Sequence, residues 1–355
     1  MKDQQPVTNI FMLIFTIIIG LIPALVPMAL WLVAKPVMML LHKPLPFAGF
    51  GYTTLGIAVL LWSLLAYGYF IGRWRLSINE IEYSNHDIPT AFNGFKIVHI
   101  SDLHLSTFDD KPEQLARIVN EINAQNPDLI CFTGDMVTLG TKEALPYTEM
   151  LKSLKAKHGV ASVMGNHDFL IYGNRFGTDT TAHKNAVEEF AKYQRETLGW
   201  HLLRNSSMII QKDSIAEIIT ILGVDNKSCT NQGFRSTNTG DLKAAMNGTQ
   251  GFRILLSHDP THWAAEVVPD TDIPLTLSGH THCAQINILG FTPASWTFEH
   301  TQGLYTQEGQ TLYINIGLGC TAPFRIGASP EITVITLITQ TESLLSQLQL
   351  QQTDL

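Results

Sequence analysis

Charge is scarce in this sequence: only 15% of its 355 residues are Asp, Glu, Lys or Arg, against roughly a quarter in an average soluble protein. The shortfall is local. No charged residue lies between Gln4 and Ala34, and none between Pro44 and Gly72. Positive charge is the scarcer sign, with 23 Lys and Arg against 31 Asp and Glu and a net charge of -8. That balance argues against a nucleic acid as the main partner, because phosphate backbones are bound through excess Lys and Arg. Cysteine is also sparse. The four residues, Cys131, Cys229, Cys283 and Cys320, form no CxxC pair, so neither a disulfide scaffold nor a thiolate zinc site is indicated. No repeat of about 20 to 50 residues is visible, which excludes a solenoid or propeller.

The two uncharged stretches are membrane-like. Ile10 to Ala34 is apolar and long enough for a helix to cross a hydrocarbon layer of about 30 Å; Pro23 and Pro27 would kink it rather than forbid it. Phe50 to Ile71 is a second such run, and Trp62, Tyr67, Tyr69 and Trp74 suit an interfacial aromatic belt. The expectation is a two-helix membrane hairpin within residues 1–75, with spans at about 10–34 and 50–71, rather than a cleaved signal peptide, whose apolar core is shorter. Lys2, Arg73 and Arg75 flank one side, and Lys35 and Lys43 are expected in the loop on the other. By the positive-inside rule both termini and the remainder of the chain face the cytoplasm. This reads as a multi-pass membrane protein.

From about Phe95 onward, strand-length apolar runs alternate with helical patterns, as in stacked sheet and helix layers. KIVHIS, DLICFTG and Val160 to Met164 read as strands. Helices are expected around Lys111 to Asn126, around Glu143 to Lys155 and up to Gly199. WHLLRN, SMIIQK, IAEIITILGV, FRILLSH, IPLTLSG, TLYINIG and EITVITLIT follow as further strands. Residues 76–340 thus form one α/β domain with two packed sheets flanked by helices, and 341–355 a polar, Gln-rich tail.

Five short clusters follow these strands: Ser101-Asp102-Leu103-His104, Gly134-Asp135-Met136-Val137, Gly165-Asn166-His167-Asp168, Ser257-His258-Asp259 and Gly279-His280-Thr281-His282. Residues two apart on extended backbone point the same way, so Asp102 and His104 can reach one ion together, and His280 and His282 can share a site. Carboxylate, carboxamide and imidazole donors suit Mn, Fe, Zn, Co or Mg. An Asp can bridge two ions with its two oxygens, which makes a two-metal hydrolytic centre the reading of the set. His99 lies inside the first strand, out of phase with Asp102, and reads as a core histidine.

The order D-x-H, G-D-x-V, G-N-H-D, H, G-H-x-H resembles the calcineurin-like metallophosphoesterase superfamily over roughly Lys96 to Leu337. The resemblance implies a four-layer αββα sandwich with the site at the strand ends. It implies Asp102, His104 and His282 as ligands of one divalent ion, Asn166, His258 and His280 as ligands of a second, and Asp135 as the bridge. His167 matches the histidine that stabilises the phosphoryl group or protonates the leaving oxygen, with Asp168 beside it as an orienting partner or a loop-structuring residue. WHLLRN, ILGVDN, ILLSHDP, LTLSGHTHxxQI and GLGCTAPFRIGASPEITVITL resemble a narrower branch of membrane-anchored bacterial phosphoesterases. That branch includes enzymes that hydrolyse the pyrophosphate bond of UDP-2,3-diacylglucosamine. Cys283 and Ala284 depart from the small pair usual there; by alternation Cys283 should face away from His282 and pack.

Arg325 is the basic residue expected at a distal phosphate, since a guanidinium fork fits phosphate geometry. Phe169, Leu170, Ile171 and Tyr172 after the third cluster, and Phe291, Trp296 and Phe298 after the fifth, can floor an acyl groove, touch the bilayer or pack their loops. The expected function is a membrane-anchored phosphodiesterase or pyrophosphatase acting on a lipid-linked phosphate. The alternatives are a phosphomonoesterase or protein phosphatase, and a non-catalytic membrane scaffold.

Overall fold

A computed structural model describes residues 17–172, 176–212 and 217–340. The start of the expected first span and the 341–355 tail lie outside the described residues. The chain divides into two compact units. Of the described residues, one unit holds those up to Arg75 together with Ala322–Gly327; the other holds those from Leu76 to Thr321 and from Ala328 on.

The first unit is a helical hairpin of α1 (Ile22–Leu40) and α2 (Phe47–Phe70), both long and apolar enough to cross a membrane. Pro27 and Pro36 lie inside α1, and the helix runs beyond the expected end at Ala34. Lys35 is therefore helical, with its ammonium 5.5 Å from the Trp31 ring, and only Lys43 sits in the turn. Pro46 precedes α2 in extended backbone, φ -68° and ψ 140°, which starts the helix three residues before Phe50. The outer faces are apolar and open, as at Val33, Leu40 and Tyr52.

The expected domain boundaries placed 322–327 with the sheets, yet this segment packs on α2. The Arg325 N–H donates to the Gly68 carbonyl at 3.2 Å, and a Cβ at Gly72 would stand 1.9 Å from the Arg325 carbonyl oxygen. Only a glycine admits that approach. Arg325 itself is fully buried. This corrects its expected role at a distal phosphate, because an enclosed guanidinium offers no donors to a headgroup arriving from solvent.

The second unit contains twelve strands among the described residues: β1 (Ser77–Asn85), β2 (Lys96–Ile100), β3 (Leu129–Phe132), β4 (Val160–Ser162), β5 (His201–Leu202), β6 (Ser206–Gln211), β7 (Ile218–Gly223), β8 (Phe252–Leu256), β9 (Leu275–Ser278), β10 (Gly303–Gln307), β11 (Gln310–Ile314) and β12 (Glu331–Thr339). They form two six-stranded sheets, ordered β1-β12-β2-β3-β4-β5 and β10-β11-β9-β8-β7-β6. The central strands of each sheet are parallel. They read as unbroken apolar runs because both of their faces are covered. Between the sheets, Ile97, Leu129 and Cys131 pack with Ile221, Ile254, Leu256 and Leu277 in one core.

Helices cover the outer faces. In α3 (Pro112–Ala124), Leu115, Ile118, Val119 and Ile122 are buried at the spacing of one helix face. On the far sheet, Leu222, Leu255 and Leu312 pack with Trp263 and Val267 and with Leu242 of a short helix, Leu242–Met246. The architecture is the expected α/β sandwich of two sheets between helices. Of the helix expected from Glu143 to Lys155, only Thr148–Lys152 is α-helical. Pro146 lies in a 3₁₀ turn before it, and the Glu143 carboxylate accepts the N–H groups of Thr138, Leu139 and Gly140 at 2.7, 2.7 and 3.0 Å.

Candidate metal centre

Every residue of the five clusters follows the C-terminal end of a parallel strand: β2, β3, β4, β8 or β9. In open α/β sheets that edge is where ligands bind. The loops are laced together by their backbones, Asp102 N–H to the Gly134 carbonyl at 2.9 Å, His104 N–H to that of Asp135 at 3.1 Å and Gly279 N–H to that of His258 at 2.9 Å. The site is thus a property of the sheet edge rather than of one loop.

Local backbone does not follow strand alternation here. Asp102, His104, Asp135, His280 and His282 all have positive φ, between 39° and 75°, a conformation that non-glycine residues adopt only where the surroundings enforce it. His280 and His282 accordingly turn to different partners, correcting the expectation of one shared site. Glycines make room for these turns. A Cβ at Gly165 would lie 2.2 Å from Asp135 Oδ1, and one at Gly279 would lie 1.8 Å from Ser101 Oγ.

Three groups of side chains each bring their donor atoms within 4.8 Å of one another: Asp102, His104 and His282; His104, Asp135 and His167; and Asp135, His258 and His280. His104 Nε2 lies 3.0 Å from His282 Nε2, and His282 Nε2 lies 3.2 Å from Asp102 Oδ1. On the other side His258 Nε2 lies 3.0 Å from Asn166 Oδ1, 3.1 Å from His280 Nδ1 and 3.2 Å from Asp135 Oδ2. Asp135 Oδ2 is also 3.7 Å from His104 Nε2, so one carboxylate faces both groups. Asp102 Oδ1 is buried without a hydrogen-bond partner. Crowded lone pairs and an unpartnered buried carboxylate oxygen are costly by themselves, and a pair of cations among them satisfies both. The donor set fits two divalent ions.

The outer partners set which nitrogen points inward. The Thr133 carbonyl takes His258 Nδ1–H at 2.7 Å and the Thr138 carbonyl takes His167 Nδ1–H at 2.6 Å, leaving each Nε2 facing the site. His280 turns its Nε2 to Gln232 Oε1 at 2.9 Å, with Asp259 Oδ2 at 3.6 Å, and presents Nδ1 inward. Such outer hydrogen bonds fix the ring and the tautomer of a metal-binding histidine. Gln232, Thr133 and Thr138 carried no signal in the sequence, since a backbone carbonyl has no residue code and Gln232 sits in an unpatterned loop. Asp259 was legible, immediately after His258.

His167 also donates its backbone N–H to Asp135 Oδ1 at 2.8 Å and is half-buried. Asp168 is not its orienting partner. The Asp168 carboxylate is buried and accepts the N–H groups of Asp135, Met136, Val137 and Gly165 at 2.8 to 3.3 Å. Burial and the Asp135 charge push its carboxyl up to about 8, against the pull of the backbone N–H donors. The catalytic assignment of Asp168 is corrected to the loop-structuring one, because its oxygens are used up by the backbone that carries Asp135.

Cys283 likewise packs, though not by alternation. It lies in a left-handed turn at φ 55°, buried with Sγ 3.2 Å from Gln302 Oε1. His99 is a buried core residue whose Nε2 meets Thr133 Oγ1 at 2.9 Å. Phe169, Leu170 and Phe298 are buried, the last edge-on to the His280 ring, while Phe291 and Trp296 are exposed.

Burial opposes a charge on His258, yet the adjacent Asp135 outweighs it and pushes the imidazole up to about 10. The metal-free site therefore carries that proton at neutral pH, and a cation must displace it. Raising the pH from about 6 to about 9 is expected to strengthen Mn binding by up to about tenfold per unit, with proton release on binding. Calorimetry in buffers of different ionisation enthalpy reads the released protons; a pH-independent affinity would contradict the pairing.

Comparisons with known proteins agree with this chemistry. Residues 95–284 match the calcineurin-like phosphoesterase family. The metallophosphoesterase YkuE of Bacillus subtilis is 32% identical over 76% of this chain and 90% of its own. A transmembrane protein with metallophosphoesterase domain from Danio rerio is 29% identical over 79% of this chain and 62% of its own. The UDP-2,3-diacylglucosamine pyrophosphatase LpxG of Chlamydia trachomatis is 26% identical over 80% of this chain and 98% of its own. With the family match covering more than half of the sequence and a metal-binding geometry at the matched strand ends, the chain belongs to the calcineurin-like phosphoesterases and is a metal-dependent phosphoesterase.

Proposed function

We propose that this chain is a membrane-anchored dimetal phosphohydrolase that cleaves a phosphodiester or pyrophosphate bond in a lipid-linked substrate such as UDP-2,3-diacylglucosamine. Asp102, His104 and His282 would hold one ion, Asn166, His258 and His280 the other, and Asp135 both. Two such ions supply Lewis-acid polarisation of phosphoryl oxygens and an acidified water. His167, held by the Thr138 carbonyl, has Nε2 available to protonate the departing oxygen. The hairpin α1–α2 anchors the chain in a bacterial inner membrane with the sheets on the cytoplasmic side, a reading supported by Lys2, Arg73 and Arg75 at one flank and Lys43 at the other.

The lipid part rests on one observation. The chain leaving His282 carries no charge before Glu299 and forms a tight turn in which Ile288 and Phe291 exchange backbone hydrogen bonds at 2.9 and 3.0 Å. Leu289 at its tip is fully exposed, and Ile288, Phe291 and Trp296 are about half exposed or more. Such a concentration of open apolar side chains beside a polar site marks a surface for apolar matter.

The test is UMP release from UDP-2,3-diacylglucosamine by the Mn-loaded protein in lipid nanodiscs. Leu289→Asp and Trp296→Asp should each lower turnover of the lipid substrate by about tenfold, from the loss of one large apolar contact, while hydrolysis of bis(p-nitrophenyl) phosphate is unchanged. Equal losses on both substrates would remove the lipid contact, and release of inorganic phosphate from monoesters in place of UMP would favour a phosphomonoesterase.

A further inference from the structure

An Asn carboxamide fits its pocket equally well either way round, but only its oxygen can hold a cation. Something must decide which end faces inward. The Asn166 Nδ2 lies 2.7 Å from the Tyr172 hydroxyl, and that hydroxyl donates to the Arg235 carbonyl. A carbonyl can only accept, so the single phenolic proton is committed to Arg235. Toward Asn166 the hydroxyl oxygen can then only accept, which requires Nδ2 on that side and turns Oδ1 toward His258 Nε2 at 3.0 Å.

The Arg235 carbonyl is itself placed by its loop. The Asn226 amide donates to Ser236 Oγ, the Thr237 carbonyl and Thr237 Oγ1 at 3.0 to 3.1 Å. The Tyr172 ring lies over the His167 imidazole, with centroids 4.2 Å apart and planes 30° apart. One side chain therefore contacts both residues that end the third cluster's chemistry.

We propose that Tyr172 is a positioning residue that fixes the polarity of the Asn166 carboxamide, acting on the metal centre through Asn166 without touching an ion. The inference rests on the dimetal reading of the site. It predicts that Tyr172→Phe, which keeps the ring on His167 and removes the oxygen, weakens Mn binding at one of two sites by about 10- to 100-fold, the scale for loss of an outer hydrogen bond. The other site is untouched, and turnover recovers as Mn is raised.

Asn166→Asp separates orientation from packing, because a carboxylate presents oxygen at either end. In the Asn166→Asp background, Tyr172→Phe should cost nothing further in Mn affinity. Calorimetric Mn titration of the full-length protein reads the three variants beside the unaltered chain. Unaltered Mn binding in Tyr172→Phe, or the same penalty in both backgrounds, overturns the proposal. A full-length protein of unchanged sequence that binds fewer than two ions overturns the dimetal reading instead, so the two failures are distinguishable.

Discussion

Replacing Asp135 by Asn should reduce phosphodiester turnover by at least about 10³-fold, the upper scale for loss of one preorganised electrostatic contact, and lower the bound metal from two equivalents. Asp135 is nearly fully buried and its carboxylate faces both His104 and His258, at 3.7 and 3.2 Å. Burial pushes its carboxyl up, yet His258, His167 and His104 outweigh that and hold it below the usual carboxylate range. Asn keeps an oxygen for the His167 N–H but lacks the charge that two cations and three imidazoles require. Metal analysis of the purified variant together with its turnover separates the outcomes. Unchanged activity with both ions retained would take Asp135 out of the centre, and absence of turnover in the unaltered protein on every phosphoester would leave the scaffold alternative.

Asp168→Ala is expected to act on stability at least as much as on activity. It would strip four buried N–H groups of their acceptor, at about 1 to 3 kcal/mol for each donor left unsatisfied. Even with relaxation, a loss of about 4 kcal/mol places it among the most damaging single substitutions. Asp168→Asn, with one oxygen left, should fall between. Thermal unfolding in detergent checks this: a large drop in midpoint for Ala and a smaller one for Asn. If Asp168→Ala melted like the unaltered protein but had lost activity, the residue would act in catalysis and not through its loop.

The candidate ligand side chains were legible because each follows a buried apolar strand and belongs to a residue type with few reasons to be there. Strand ends such as Ile100-Ser101-Asp102 change abruptly from apolar to polar, and that step is visible in a bare sequence. What brings the ligands together was not. The left-handed turns at Asp102 and His104 are held by backbone bonds to the Gly134 and Asp135 carbonyls of another loop, and that at His280 by an N–H to the Asp102 carboxylate, which no local pattern encodes. β1 was missed because Ser77–Asn85 is a mostly exposed edge strand whose partner, β12, lies at the far end of the chain. Lys35 and Pro36 looked like the end of a span, and the apolar residues that follow carried α1 on to Leu40. Arg325 looked like a phosphate contact on chemistry alone, and only the glycines at 68 and 72, which let its backbone lie against α2, place it elsewhere.

Gly68 and Gly72 give that placement a consequence for how the molecule is made. Residues 322–327 leave the ribosome after nearly all of the sheets, whereas the helix they lie on was completed long before. The last part of the chain must therefore return to a hairpin synthesised long before it, and a protein begun at Leu76 would emerge with Phe324 and Ile326 deprived of their seat against Gly68. Hairpin and sheets are in this sense not successive beads on a string, since the hairpin unit is finished by a piece of the chain's own late sequence.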